Sequence, residues 1–392
     1  MESRNTMKEI EETRELIAAL VQASPVMAVP LAEACGRILA EAVLAPMDFP
    51  AFDHSAMDGY ALSSDSSGPH IIVGEVAAGG AATCTLLPGQ AMRIFTGAPV
   101  PQGTLCVIRQ EDCAASDGKV SAEVLLQPGD NIRRRGAVFC LGQELMPPGT
   151  RLTAGAIGLL ASCGCSKVHV RGPIRVLHIV TGTELVSPSD PLGPGKIYDS
   201  NGPMISALLA GRGIRCESLR IADDAGLLER TVAEFSGDLL LISGGSGPGD
   251  YDFTTDALEK NGYNLHVTRV NSRPGKPMLF ATKGRQAAFG LPGNPLSHWV
   301  CFHVFVAGAL AAFEGLRPAG LVSAKCENWL SHAGDGRRTW TPAVHTFEDT
   351  RLVVSPLAWQ HSGDLLPLAR ATAIVLDEPD PTNGTIAALL LE

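Results

Sequence analysis

No apolar run in this 392-residue chain is long enough to cross a bilayer. The longest, residues 299–313, is interrupted by His303 and falls short of the ~20 residues a spanning helix needs. A secretory leader is also missing: residues 1–24 are charged and read as an amphipathic helix, with Ile10, Leu16, Ile17 and Leu20 at roughly helical spacing. Both absences lead to the expectation of a cytoplasmic protein with no membrane partner. Positive charge is in deficit, 31 Lys and Arg against 41 Asp and Glu, and the net charge of −10 argues against broad nucleic-acid binding. The exception is Arg133-Arg134-Arg135, which reads as a solvated turn unless a neighbour needs phosphate. A disulfide framework is not indicated, because the ten cysteines are scattered singly apart from Cys163 and Cys165. Repeats, low-complexity segments, Walker-type glycine loops, zinc-ligand spacings and a Ser-His-Asp order are all missing. His298 and His303 therefore read as packed residues rather than ligands.

What is present is an ordinary globular composition, 45% hydrophobic and 18% charged, over a length that accommodates several domains. Residues 1–42 read as helical, including residues 31–44, and residues 153–163 as a short helix that could pack back on them. Residues 46–145 are rich in Gly and Pro between short apolar runs, as in a compact β unit. From residue 173 to about 315, strand-like and helix-like runs alternate, which implies a largely parallel, doubly wound sheet. The remainder returns to strands. The expected fold class is thus α/β and multidomain: a helical domain (1–45 with 146–172), a β-rich domain (46–145), an α/β domain (173–318) and a small C-terminal β domain (319–392).

Chemistry concentrates between Asp238 and Pro295. A buried strand, Leu239-Leu-Leu-Ile-Ser243, opens into Gly244-Gly-Ser-Gly-Pro-Gly-Asp-Tyr-Asp252. Arg273-Pro-Gly-Lys-Pro277 and Gly290-Leu-Pro-Gly-Asn-Pro295 follow. In the last, Asn294 is placed to cap a helix and Pro295 suits its first position. Ligands of open α/β sheets sit outside the carboxyl ends of the strands, so a phosphorylated or oxyanionic ligand is the first inference. Glu184, Asp223 and Asp224, and Asp250 and Asp252 each follow a strand, and such carboxylates can together hold Mg²⁺. Lys276, stiffened by neighbouring prolines, suits charge stabilisation of an oxyanion, with Arg269 and Arg273 as further donors. Together these residues point to an α/β enzyme for a phosphorylated ligand and a divalent cation.

A longer pattern adds to it. Phe52-Asp-His-Ser-Ala-Met-Asp-Gly-Tyr-Ala61 resembles the hallmark segment of the molybdopterin molybdenumtransferase family, the bacterial MoeA proteins and the E domain of gephyrin. The resemblance continues in order through Thr96-Gly-Ala-Pro99, Asn131-Ile-Arg-Arg-Arg-Gly136, Thr181-Gly-Thr-Glu-Leu185 and Ile197-Tyr-Asp-Ser-Asn201. It then takes in Gly244 and Gly245 with Gly249 and Asp250, Pro274-Gly-Lys-Pro277 and the Gly290 to Pro295 motif. It implies insertion of molybdenum from molybdate into adenylylated molybdopterin with release of AMP, dependent on Mg²⁺, by a homodimer. It implies catalytic positions at Asp58, Thr96, Glu184, Asp252 and Lys276 and metal ligands at Glu184, Asp224 and Asp252. Substrate contacts are implied at Arg135, Gly244, Gly245, Arg269, Arg273, Pro292, Asn294, Pro295, Arg337 and Ser362. The expected protein partners are the molybdopterin adenylyltransferase and molybdoenzyme maturation proteins. Four places depart from the family pattern: Ala137-Val138 stands for Glu-Asp, Thr183 for an aspartate, Ser246-Gly-Pro248 for Val-Ser-Val, and Pro342 for an arginine. Two other readings use part of the same residues, a metal-dependent phosphohydrolase on the α/β domain and a non-catalytic molybdopterin-binding or scaffold paralogue.

Overall fold

Ile10–Leu20 forms helix α1, whose buried Ile10, Thr13 and Ile17 follow the expected spacing. The structure, a computed structural model, describes residues 7–64, 68–81, 84–244, 253–329, 336–377, 379–380 and 382–391. The helix expected over residues 31–44 does not form. The chain there makes strand Val26–Pro30, a single 3-10 turn at Leu31–Glu33 and the short strand Val43–Leu44. Its backbone is completed from far along the sequence: Gly36 N donates to Leu152 O at 2.7 Å, Leu39 N to Thr150 O at 2.9 Å and Ala40 N to His169 O at 2.9 Å. Such partners replace the bonds a helix would supply locally, and apolar spacing cannot reveal them. Helix α2, Ala154–Ser162, does form, and Thr153 Oγ1 caps it by accepting from Ala156 N at 3.3 Å.

Packing divides the chain into two compact units, residues 28–170 and residues 1–27 with 171–392. The smaller carries a six-stranded sheet in the order Cys106–Arg109, Gly59–Leu62, Gln90–Ile94, His70–Val76, Lys119–Ala122, Cys113–Ser116. All neighbours are antiparallel except the parallel pair His70–Val76 and Gln90–Ile94. A separate cluster built on Val29, Leu39, Leu152, Leu160 and Val170 packs α2. Helix α1 does not join that cluster; Ile10 and Ile17 lie in the core of the larger unit, a correction to the grouping of residues 1–45 with 146–172.

In the larger unit a six-stranded sheet runs Cys216–Ile221, Val176–Thr181, Leu239–Ser243, Gln286–Leu291, Leu279–Lys283, Asn264–Val267. The first four strands are mutually parallel, Leu279–Lys283 runs antiparallel to Gln286–Leu291, and Asn264–Val267 runs antiparallel to Leu279–Lys283. Helices cover both faces. Leu239 and Leu241 face a core shared with α3 (Asn201–Gly211), while Leu240 and Ile242 face α4 (Ala225–Glu234) and α5 (Phe253–Lys260). Alternate residues of one apolar run thus feed two cores, the pattern of a central parallel strand. The apolar run at residues 295–313 becomes helix α6 (Pro295–Cys301), a π turn (Phe302–Val306) and helix α7 (Ala307–Phe313). The continuous helical stretch Pro295–Phe313, 19 residues, is longer than the apolar run counted from the sequence and by length and composition could cross a membrane, but 78% of its apolar window is buried inside the protein, so it is a core helix. A second sheet, built on Arg338–Glu348, Arg351–Pro356, Val322–Cys326, Thr385–Leu390 and Ala373–Leu376, closes on itself through the pairing of its first and last strands. Ser272–Arg273 adds to its edge.

Candidate active site

Because four strands of the α/β sheet run parallel, their carboxyl ends open on one edge. Adjacent loops there are clamped together: Thr183 N donates to Asp223 Oδ2 at 2.9 Å and Asp223 N to Thr183 Oγ1 at 3.2 Å. Lys196 Nζ donates to Thr183 O at 2.7 Å, and Glu184 lies exposed beside it. Asp224 caps α4, its Oδ1 accepting from Leu227 N at 2.8 Å. Gly244, with φ +91°, presses against the first loop so closely that a Cβ would stand 2.6 Å from Thr181 Oγ1, and only glycine fits. Gly245, Asp250 and Asp252 lie outside the described residues.

After the strand Gln286–Leu291 the chain turns inward at the buried Pro292. Asn201 Nδ2 donates to Gly293 O at 2.7 Å. Asn294 occupies the cap position of α6 and its carbonyl accepts from His298 N at 2.9 Å, but its side chain makes no cap hydrogen bond, contrary to the sequence expectation. Pro295 takes the first helical position as expected. Leu296 N donates to Ser362 O at 2.9 Å, which brings Ser362 from the C-terminal segment to this loop.

The proline loop is held as firmly. Ser272 Oγ donates to Pro274 O at 2.8 Å, and Val270 N to Lys276 O at 3.0 Å. Gly275 has φ +108°, and a Cβ there would meet Cys301 Sγ at 2.8 Å. The Lys276 side chain is left exposed above an anchored backbone. Arg337 Nη1 donates to Ser272 O at 3.3 Å, and the Arg273 guanidinium stacks on Trp359, 5.7 Å from the ring centre. Arg269 is half-buried, its carbonyl accepting from Lys8 N at 3.0 Å. Arg273, Lys276 and Arg337 are therefore gathered around one loop, although Arg337 stands more than sixty residues further along the chain.

In the other unit, Asp58 Oδ1 accepts from both Thr96 N and Thr96 Oγ1, each at 2.7 Å. Those two donors hold the Asp58 carboxyl below the usual range. The arginine turn is neutralised by carboxylates. Arg135 Nε donates to Asp48 Oδ2 at 2.6 Å, while Arg134 Nη1 and Arg135 N both reach Asp53 at 2.7 Å. Val138, where the family acid is missing, is exposed, and its N donates to Phe49 O at 2.9 Å.

Among the described residues, no three His, Cys, Asp or Glu side chains converge as a cation site. Asp223 and Asp224 each spend one oxygen on a backbone N–H. As described, these carboxylates do not fit a magnesium cage; Asp252, the remaining expected ligand, is not among the described residues.

One constellation escaped the sequence reading. His178, Ser243 and His298 are fully buried beneath the strand ends and hydrogen-bonded in a row. The available signal was His178 itself, a titratable residue inside an otherwise apolar run.

Comparison with known proteins matches residues 8–164 to the model of the MoeA N-terminal region, domains I and II, and residues 178–312 to that of a probable molybdopterin binding domain. The chain is 36% identical to a molybdopterin molybdenumtransferase of Nostoc sp. over 89% of its own length and 84% of the relative's. It is 36% identical to one from Haemophilus influenzae over 73% and 72%. A solved molybdopterin biosynthesis MoeA protein from Pyrococcus horikosii superposes with TM-score 0.83 at 27% identity, covering 99% of this chain and all of that one. With strand-end loops in the same order as the motifs, and relatives matching over most of both lengths, the chain belongs to the molybdopterin molybdenumtransferase family.

Proposed function

We propose that this protein inserts molybdenum into molybdopterin, taking molybdate and adenylylated molybdopterin and releasing AMP and the molybdenum cofactor. The observation that carries the reading is the gathering of Arg273, Lys276 and Arg337 around the proline loop, with Ser362 at the neighbouring start of α6. Molybdate, the pterin phosphate and the adenylate are all oxyanions, and preorganised cations stabilise the charge that shifts when the adenylate bond breaks. Lys276 suits that role because its backbone is fixed while its ammonium stays free to reach substrate. Arg273, stacked on Trp359, keeps a defined plane for forked recognition of an oxyanion. In the other unit Asp58, kept ionised by Thr96, is an acceptor for substrate donors such as the pterin N–H groups.

A divalent cation enters only through the resemblance, which implies Glu184, Asp224 and Asp252 as its ligands; the described carboxylates do not by themselves converge to hold it. No step above depends on it. The homodimer and the protein partners likewise rest on the resemblance. Light scattering that finds a dilution-stable monomer rejects the dimer.

AMP release from adenylylated molybdopterin, followed with and without molybdate and with and without Mg²⁺, tests the function. The insertase reading expects release that requires molybdate. A phosphohydrolase would release AMP without it, and a carrier would bind and release nothing.

A further inference from the structure

Pro292 O is an acceptor only, so His298 Nδ1, 3.1 Å away, carries the proton of that hydrogen bond. A neutral His298 then presents a lone pair at Nε2, and Ser243 Oγ, 3.4 Å away, donates to it. The Ser243 oxygen in turn accepts from His178 Nε2–H. His178 Nδ1 is left as a bare acceptor, without a hydrogen-bond partner among the described residues. One proton arrangement therefore satisfies the row, with every hydrogen pointing toward the Pro292 carbonyl. Burial supports it: the His178 and His298 rings are pushed down to about 3 and about 4 and stay neutral at ordinary pH.

The direction matters because a trans peptide points its C=O and its N–H to opposite sides. His298 draws Pro292 O inward, and Asn201 draws Gly293 O inward at 2.7 Å. The N–H groups of Gly293 and Asn294, on the same two peptides, must then face away from the core, where both residues are exposed. The row passes through Ser243 in the strand leading into Gly244, and Thr181 Oγ1 donates to Ser243 O at 3.2 Å, so three strand ends are tied together from beneath.

We infer that His178, Ser243 and His298 form a buried positioning relay that turns the Gly293 and Asn294 N–H groups outward to receive an oxyanion of the substrates. This rests on the proposed function for the identity of those substrates. The residues touch no substrate, so they act on binding through the loop rather than on the chemical step.

The test compares His298 variants for KM and kcat of molybdate-dependent AMP release, with KM for adenylylated molybdopterin and for molybdate measured separately to show which oxyanion the loop receives. His298→Leu is expected to raise one KM about tenfold or more with kcat little changed, the mark of lost uniform binding. His298→Asn, whose side-chain NH₂ sits where Nδ1 was, is expected to restore most of the loss. His298→Gln, which reaches only the Nε2 position, is not. Equal KM values for the Asn and Gln variants, or an unchanged KM in the Leu variant, would overturn the relay, and the Asn and Gln pair decides should the Leu variant not fold. Nitrogen NMR of the His298 ring in the unmodified protein gives an answer without turnover. The Nδ1–H tautomer is expected, and the Nε2–H tautomer would overturn the inference. Loss of molybdate-dependent AMP release in the unmodified protein would instead refute the proposed function while leaving that spectrum interpretable.

Discussion

The two units hold their candidate residues by opposite means. In residues 28–170 the candidate groups are exposed or half-buried and tied to polar or charged neighbours: Asp58 to Thr96, Arg135 to Asp48, Arg134 to Asp53. In the α/β sheet the charges at the carboxyl edge stand above a buried, neutral scaffold, and His178, Ser243 and His298 fix backbone rather than charge. Exposed ion pairs are screened by water and salt and contribute little to stability, whereas a buried polar row is costly to break. Salt and surface mutation should therefore perturb the first set locally, and changes beneath the second should reach the fold.

Acid gives the largest expected effect. His178, His298 and His303 titrate near 6.5 in an unfolded chain, but burial pushes them down to about 3, about 4 and about 3 when folded. Between those values the unfolded state binds more protons, so stability rises with pH. It is fully present above 6.5 and is lost as pH falls toward the folded values, by on the order of 3 kcal/mol per ring. Urea unfolding at pH 5 and pH 7 measures this. The difference is expected to shrink in His298→Leu, and an equal difference in both proteins would mean that the buried rings do not set acid stability.

Lys276→Met separates site from scaffold. Its side chain is exposed, so the melting temperature is expected to hold while AMP release falls about a hundredfold, comparable to removal of one oxyanion donor. A large drop in melting temperature would place Lys276 in the scaffold instead.

Smaller effects are expected in the other unit. Thr96→Val removes one of two donors to Asp58, so the carboxyl should titrate higher and the acidic limb of the rate profile should move to higher pH with the fold unchanged. A limb that stays in place would show that the backbone N–H of residue 96 suffices. Val138→Asp is the mildest. Val138 is 64% exposed, so an acid can be accommodated there, and the molybdate or Mg²⁺ concentration for half-maximal rate is expected to fall. An unchanged or higher requirement would mean that the new charge only repels nearby carboxylates.

Periodicity alone marked most of the α/β segment. The run Leu239-Leu-Leu-Ile-Ser243 announced a strand buried on both faces, and the structure splits its alternate residues between two cores. The same reasoning failed at residues 31–44, where apolar spacing suggested a helix but partners at Thr150, Leu152 and His169 supply the hydrogen bonds. At the site, the glycine and proline loops were recognisable because φ and close approach constrain residue type locally. The cap role expected of the Asn294 side chain was not realised, because that prediction considers only the four residues beside it.

By itself, then, the sequence determined the strand and helix alternation, the loops that must bear a ligand, and through its ordered motifs the family. Those are properties of local sterics and of spacing along the chain. Only the tertiary structure decided that Arg337 and Ser362 reach the proline loop and the start of α6, and that Arg135 is bound to Asp48. It also decided that His178, Ser243 and His298 meet in a row under Pro292. The physical reason is the same in each case: a hydrogen bond acts over about 3 Å of space, and no distance along the chain encodes which groups will come that close.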